Sequence, residues 1–325
     1  MKKIAIIMPF FFDYEKIIEK ELIQNGYQVY LINDNWHDLS IVNHLYHTYF
    51  RDKSIKMKNE YYLGEIEKLP DVLDYILIIS GRSLSLEIMN VLRNKYKKTK
   101  MIMYQWDCVS QVEQAEFISN YCDDNITFDP IDAGKYGWKY RPLFFDNSKK
   151  KDESKIYDLA YVCSLHSERY ELYKILKENS EEKGLKLFDY IYCGVGRYLN
   201  QRYFQKNPLF DLDSKVLRFN KLSHDDTVDV YNKSKCLVDY KFPAQTGLTM
   251  RTIESVGFKT KLITNNKEVL KQDFYNPNNI FVYDLDDFSL PEEFIDKPYE
   301  ELDSSVYDKY SIKGWLSDVL DEHIK

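Results

Sequence analysis

The chain has 325 residues, 44 % of them hydrophobic and 30 % charged, which is the composition of a folded protein with room for two domains. Its formal net charge is −7, from 45 Lys and Arg against 52 Asp and Glu, and this argues against a dedicated nucleic-acid binder. The 28 tyrosines accompany many Lys, Asn and Ile and read as codon bias in an AT-rich genome rather than as a site.

The first residues, MKKIAIIMPFFF, have the lysines and apolar run of a secretory leader but no small-residue cleavage site. They run on into an amphipathic helix whose stripe is Tyr14, Ile17, Ile18, Glu21 and Leu22, ending at Asn25-Gly26, and then a strand, QVYLIND. A polar and aromatic helical stretch covers 38–68. DYILIIS is a strand, SLSLEIMNVLRNKY a helix, KMIMYQW a strand, VEQAEFISNY a helix and DNITFD a short strand. Such alternation predicts a parallel sheet with helices on both faces. Pro142 and the charged run of 141–155 read as a linker.

Alternation then restarts. IYDLAYVC is a strand, SERYELYKILKENSEEKG a helix, LKLFDYIYC a strand, 194–213 an irregular insertion, KVLRF a strand and SHDDTVDVYNKS a helix. KCLVDY, TMRTIESVG, KLIT, KEVLKQ and NIFVYD continue as strand, helix, strand, helix, strand. A last helix spans roughly 305–323. The reading is an α/β chain of two tandem Rossmann-like, doubly wound domains, 1–150 and 151–304, with 305–325 as a closing helix. In such sheets ligands sit beyond the carboxyl ends of the strands, so two facing domains would share one cleft. No run reaches transmembrane length, and the expected location is the cytoplasm. The five cysteines, Cys108, Cys122, Cys163, Cys193 and Cys236, form no CxxC pair and read as buried thiols in a reducing compartment.

One loop and helix stand out. QTGLTMRTIESVG (245–257) lies between two strands, and a helix starting near Thr249 turns Met250, Ile253 and Gly257 to the sheet. Glu254 then borders the apolar stripe, where a lone carboxylate is costly. The helix N-terminus favours an anion, and Gly247 allows close backbone approach. Amides and Arg251 around a diphosphate, with Glu254 on a ribose diol one turn deeper, suit a nucleotide. The competing reading is an Arg251–Glu254 surface pair at i,i+3.

This run resembles the donor-binding segment of GT-B glycosyltransferases. With YQWD (104–107) and FDPIDAGKYGWKYRPLFF (128–145), the chain is similar to the CgeB-like (spore maturation) and lipopolysaccharide or capsule biosynthesis glycosyltransferases of bacteria. The resemblance implies that Glu254 holds the ribose, that the Gly247–Leu248–Thr249 backbone holds the diphosphate, and that the last helix packs back on the first domain. Thr246 stands eight residues before Glu254, where many such enzymes carry a second Glu, so the stereochemical class is not implied.

Other candidates come from strand ends. On the donor side they are His166 and Arg169 at a helix start, Lys241 after KCLVDY, and Gln245. Ser167 is equally a plain N-cap. In the first domain Asp13, Arg82 and Asp107 end strands. An inverting enzyme needs a general base, for which Asp107 or Asp13 is placed, while each Asp reads more readily as a plain helix cap. Phe10–Phe12 read first as buried under the helices, with contact to an apolar acceptor, through Phe12, as the alternative. CGVGRYL lacks the third glycine of a dinucleotide fingerprint. Asp284 and Asp286 read as a solvated acidic loop, and His44 and His47 lack a third ligand. NKYKKTK (94–100) is a solvated helix end or a contact with anionic lipid.

The expected activity is a metal-independent transfer of sugar from a nucleotide-sugar, UDP-linked by preference, to a hydroxyl of a surface glycan or lipid-linked precursor. No cofactor, metal or nucleic acid is expected, and a peripheral contact with the inner membrane is. The alternatives are a nucleotide-sugar epimerase on the same architecture and a non-catalytic nucleotide-sugar-binding protein.

Overall fold

The computed structural model describes residues 1–36, 48–146, 148, 150–151, 153–165, 168–210, 212, 214–243 and 245–324. The candidates His166 and Ser167, the pair His44 and His47, and positions 38–47 of the expected helix lie outside them.

The chain divides into two compact units, Met1–Leu143 with Ile312–Lys325, and Phe144–Ser311. In the first, six parallel strands run β1 (Lys2–Met8), β2 (Tyr27–Asn33), β3 (Tyr75–Ile79), β4 (Lys100–Gln105), β5 (Asp124–Thr127) and β6 (Lys139–Tyr140) along the chain. Their order in the sheet is β2-β1-β3-β4-β5-β6. The strand order therefore reverses between β1 and β3, the position where such sheets leave a crevice. β1 and β3 are almost continuous apolar runs because both faces of a parallel sheet are covered by helices.

The helix Pro130–Tyr136 between β5 and β6 was not expected, although its signals are orthodox. Asp129 accepts from the Ile131 and Asp132 amides, Pro130 opens the first turn, and Gly137 closes it at φ 70°. The helix Ile312–Leu320 packs on the helix Tyr14–Gln24 and on β4. Its Trp315, fully buried, meets the Tyr104 ring edge-on at 4.8 Å. Just beyond it, Glu322 accepts hydrogen bonds from Lys2, Tyr27 and Tyr75. Desolvation works against the Glu322 charge, but these three donors outweigh it and hold the carboxyl below its ordinary value.

Glu322→Ala is expected to cost about 1–3 kcal/mol, since two half-buried tyrosyl hydroxyls lose their acceptor. A lowered carboxyl pKa contributes stability that is complete above the unfolded-state value and is lost as the pH falls through the folded one. The difference between parent and variant should therefore shrink below about pH 4. Urea midpoints at pH 7 and pH 3.5 check this, and a constant difference would contradict it.

The second unit has the strands β7 (Tyr157–Ser164), β8 (Leu187–Tyr192), β9 (Leu217–Arg218), β10 (Ser234–Asp239), β11 (Lys261–Thr264) and β12 (Ile280–Val282), all parallel. Their order is β12-β11-β10-β7-β8-β9, so the reversal falls between β7 and β10. The expected helix KEVLKQ is a 3-10 turn, Lys267–Lys271, and the strand expected over KVLRF shrinks to Leu217–Arg218. The helix Met250–Gly257 packs so tightly that a Cβ at Gly257 would lie 2.4 Å from the Phe145 ring.

The long closing helix is two helices, Ser304–Lys309 and Ile312–Leu320. They break where Tyr310 O accepts from the Phe145 amide at 3.0 Å and Ser311 bridges to Phe145. Four of the five cysteines are buried and Cys122 is partly so.

Candidate functional site

The carboxyl edge of the second sheet is organised by a residue the sequence reading passed over. Asp239, the last residue of β10, is fully buried. Its Oδ1 accepts from Arg251 Nη1 at 2.8 Å, and its Oδ2 from Thr249 Oγ1 at 2.8 Å and Thr264 Oγ1 at 3.3 Å. Its carbonyl accepts from Tyr283 Oη at 3.0 Å. Arg251 also donates to the Val162 carbonyl of β7 and, at 3.3 Å, to Tyr231 Oη. Asp239 and Arg251 together thus tie β7, β10, β11, the residue after β12 and the first turn of the helix at the point of strand reversal.

This differs from the expected role of Arg251 as a cation facing a diphosphate, because its guanidinium is directed inward. Burial works against that charge, but Tyr231 and Asp239 outweigh it and keep the group above its ordinary pKa. The expected Arg251–Glu254 surface pair does not describe Arg251 either. Glu254 is half-buried one turn further on, close enough to raise the Tyr231 hydroxyl, whose principal cause of elevation is burial. The sequence signal for Asp239 is its need of a partner, since a charged residue closes the apolar run KCLVD; which cation supplies it is not readable there.

The loop before the helix is closed by its own side chains. Lys241 Nζ donates to Gln245 O at 2.7 Å, Gln245 Nε2 to Gly247 O at 3.0 Å, and Asn266 Nδ2 to Gly247 O at 3.1 Å. Leu248 is buried beneath it. Thr249 caps the helix by accepting from the Thr252 amide at 3.2 Å. What the loop presents is therefore the positive end of an eight-residue helix rather than free side chains. Beside it lies a concavity of about 460 Å³ lined by Tyr240, Lys241, Thr246, Asn265, Asn266 and Tyr283, within the range of small-molecule sites. Asp284 is exposed on its rim and pairs with Lys267 at 3.1 Å.

Arg169 begins the helix after β7 and reaches across the reversal point. Its Nη2 donates to Tyr240 O at 3.2 Å, while Tyr240 Oη donates to Glu168 Oε2 at 2.7 Å. Arg169 Nε is buried with no hydrogen-bond partner among the described residues.

In the first unit the carboxyl edge carries rings and one ion pair. Arg82 Nη2 and Asp107 Oδ2 are 2.8 Å apart, both partly exposed. Asp13 pairs with Lys16 at 2.5 Å and, although it precedes the helix Tyr14–Gln24, its side chain does not cap it. Phe12 and Asp13 both have left-handed backbones, φ 52° and 61°, which costs about 1–2 kcal/mol per residue. Phe12 is 49 % exposed and Phe11 37 %, against the expectation of burial. Phe11 meets Trp106 edge-on at 5.0 Å and Tyr14 at 5.6 Å.

Behind this edge Asp34 is buried after β2. It accepts from Tyr62 Oη at 2.6 Å and the Ser83 amide at 3.1 Å, and its Oδ2 has no hydrogen-bond partner among the described residues. Burial pushes its carboxyl up to about 6, against the opposing pull of Tyr62, the Ser83 and Arg82 amides and the Arg82 charge. Between the ordinary 3.8 and about 6 the unfolded chain is the more ionised, so stability falls as pH rises through that window and is level above it. Asp34→Asn is expected to add about 1–3 kcal/mol at pH 7 and to remove the slope. Urea midpoints at pH 4.5 and pH 7 that change alike in parent and variant would contradict this.

No family model matches the chain, and no curated protein does. Among solved structures it is similar to an α-glucosyltransferase in complex with UDP and a 13-mer DNA, with 98 % of this chain and 96 % of that one covered, 13 % identity and a TM-score of 0.54. The chain has the GT-B fold. MurG of Acinetobacter baumannii (81 % and 79 % covered, 11 % identity, TM-score 0.41) is more distant. So is a protein assigned as a UDP-N-acetylglucosamine 2-epimerase from Listeria monocytogenes (100 % and 99 %, 10 %, 0.47). At these identities the GT-B likeness is one of fold. Among the described residues no helix is long and apolar enough to cross a membrane, and no three His, Cys, Asp or Glu are gathered as for a metal ion.

Proposed function

We propose that the protein is a GT-B glycosyltransferase of the surface-glycan kind that its sequence resembles, taking a UDP-linked sugar as donor. The observation that carries the reading is the carboxyl edge of the second sheet. There the helix N-terminus at Met250 lies beyond β10, beside its reversal from β7, and the 460 Å³ concavity lies over the carboxyl ends of β10, β11 and β12. The fold match to an α-glucosyltransferase holding UDP supports the choice of donor class.

The diphosphate lies on the first-turn amides, with Arg169 as its side-chain cation, and Glu254 takes the ribose hydroxyls. Arg251 acts as a positioning residue, holding the helix head to Asp239. The departing diphosphate is stabilised by fixed dipoles and charge, and no metal is required for that step. The acceptor lies on the first unit against Phe11, Phe12 and Trp106, with the Arg82–Asp107 pair beside it. If the reaction inverts, Asp107, paired with Arg82, is the base; Asp13 is the second choice. The net charge of −7 disfavours a polyanionic acceptor and points to a glycan or lipid-linked glycan hydroxyl.

Calorimetry against UDP, GDP and dTDP tests the donor site, with UDP expected to bind best and no binding to any of the three overturning it. Incubation of UDP-sugars without acceptor then separates transfer from epimerisation, because an epimerase turns its substrate over alone.

A further inference from the structure

The insertion between β8 and β9 carries a surface that the donor and acceptor sites do not use. The helix Val195–Leu199 runs directly into a π-helical turn, Asn200–Phe204, followed by a 3-10 turn at Pro208–Phe210. Tyr198, Phe210 and Leu212 anchor it in the core of the second unit. The outer side is apolar and in water: Val195, Leu199 and Tyr203 are 52 %, 45 % and 61 % exposed, and Phe204 is 81 % exposed. Spaced four apart, the first three form one stripe along the helical run.

The charge around these rings is one-sided. From Val195 to Phe210 there are Arg197, Arg202 and Lys206 and no acid, and over 195–221 six cations face only Asp211 and Asp213, in a chain of net charge −7. Arg197 and Lys206 are exposed, and the Arg202 guanidinium lies 5.7 Å over the Tyr203 ring. A short helical run with exposed aromatic and leucine side chains, flanked by cations, suits the boundary between headgroups and acyl chains. A second copy of the chain is disfavoured as occupant, because a self-complementary contact there would bring like charges together.

We infer that segment 195–210 docks the protein on an anionic bilayer surface. Leu199, Tyr203 and Phe204 enter the interface while Arg197 and Lys206 meet lipid phosphates. The helical run lies in the plane of the surface and does not cross it.

Co-sedimentation with vesicles of phosphatidylglycerol and phosphatidylcholine, against phosphatidylcholine alone, tests this. Binding is expected to the anionic vesicles only and to weaken with salt. Tyr203→Ser/Phe204→Ser should reduce it at least tenfold, and Arg197→Glu/Lys206→Glu should abolish it, with unchanged thermal melts showing that both variants fold. No binding of the parent to anionic vesicles, or equal binding by both variants, overturns the inference. So does a dimer in sedimentation velocity that Phe204→Ser dissociates, since that assigns the patch to a second copy. None of these outcomes depends on nucleotide binding.

Discussion

Replacing Arg251 by methionine is expected to lower the unfolding free energy of the second unit by about 3–5 kcal/mol, because it leaves a buried carboxylate without its cation. Asp239 is fully buried and would keep only the Thr249 and Thr264 hydroxyls, both on Oδ2. Oδ1 and the Val162 carbonyl would each lose a guanidinium donor. Methionine fills much of the volume, so the loss is electrostatic rather than a cavity. Adding Asp239→Asn removes the isolated charge and should recover the larger part of the stability, the signature of coupling between neighbours. Urea unfolding of parent, single and double variants measures both. If Arg251→Met unfolds like the parent yet loses UDP affinity tenfold, the guanidinium belongs to the ligand and the inward role is wrong.

That residue also marks where sequence reading stopped. The strands of both sheets are short apolar runs, and strict alternation with helices forces parallel pairing with right-handed crossovers, so the two doubly wound sheets were legible without coordinates. The start of the helix at Met250 was legible too, because Thr249 is a strong N-cap and Gly257 allows the close contact with Phe145.

Direction was not legible. At positions 251 and 254 the helical period says which residues border the sheet, but not that Arg251 folds back under β10 to a carboxylate twelve residues upstream. The division of the closing helix at Tyr310 was hidden for a similar reason. Its apolar stripe continues through the break, and the break is made by a non-local partner, Phe145. Exposure of Phe11 and Phe12 escaped because a left-handed backbone at two non-glycine residues has no sequence signature. Such strain gathers at functional edges, and here Phe11 stands edge-on to Trp106, with Phe12 beside Phe11 and Tyr14, instead of under the helices.

Glu254→Gln is expected to weaken UDP binding by about 1.5–3 kcal/mol, roughly 10- to 150-fold, the worth of a hydrogen bond made to a charged group. In the proposed site the carboxylate would accept from two ribose hydroxyls, whereas the amide has only one accepting atom and would set a donor against the other hydroxyl. Shape and volume are kept, and Glu254 is half-buried rather than enclosed, so folding should change little. This contrast with Arg251→Met is the point of the pair: one substitution acts on affinity and spares stability, the other on stability first. Calorimetry with UDP, run beside urea unfolding of the same preparations, reads both quantities. Unchanged affinity in Glu254→Gln would make the residue a structural neighbour of Tyr231 and remove the ribose contact on which the donor site is built.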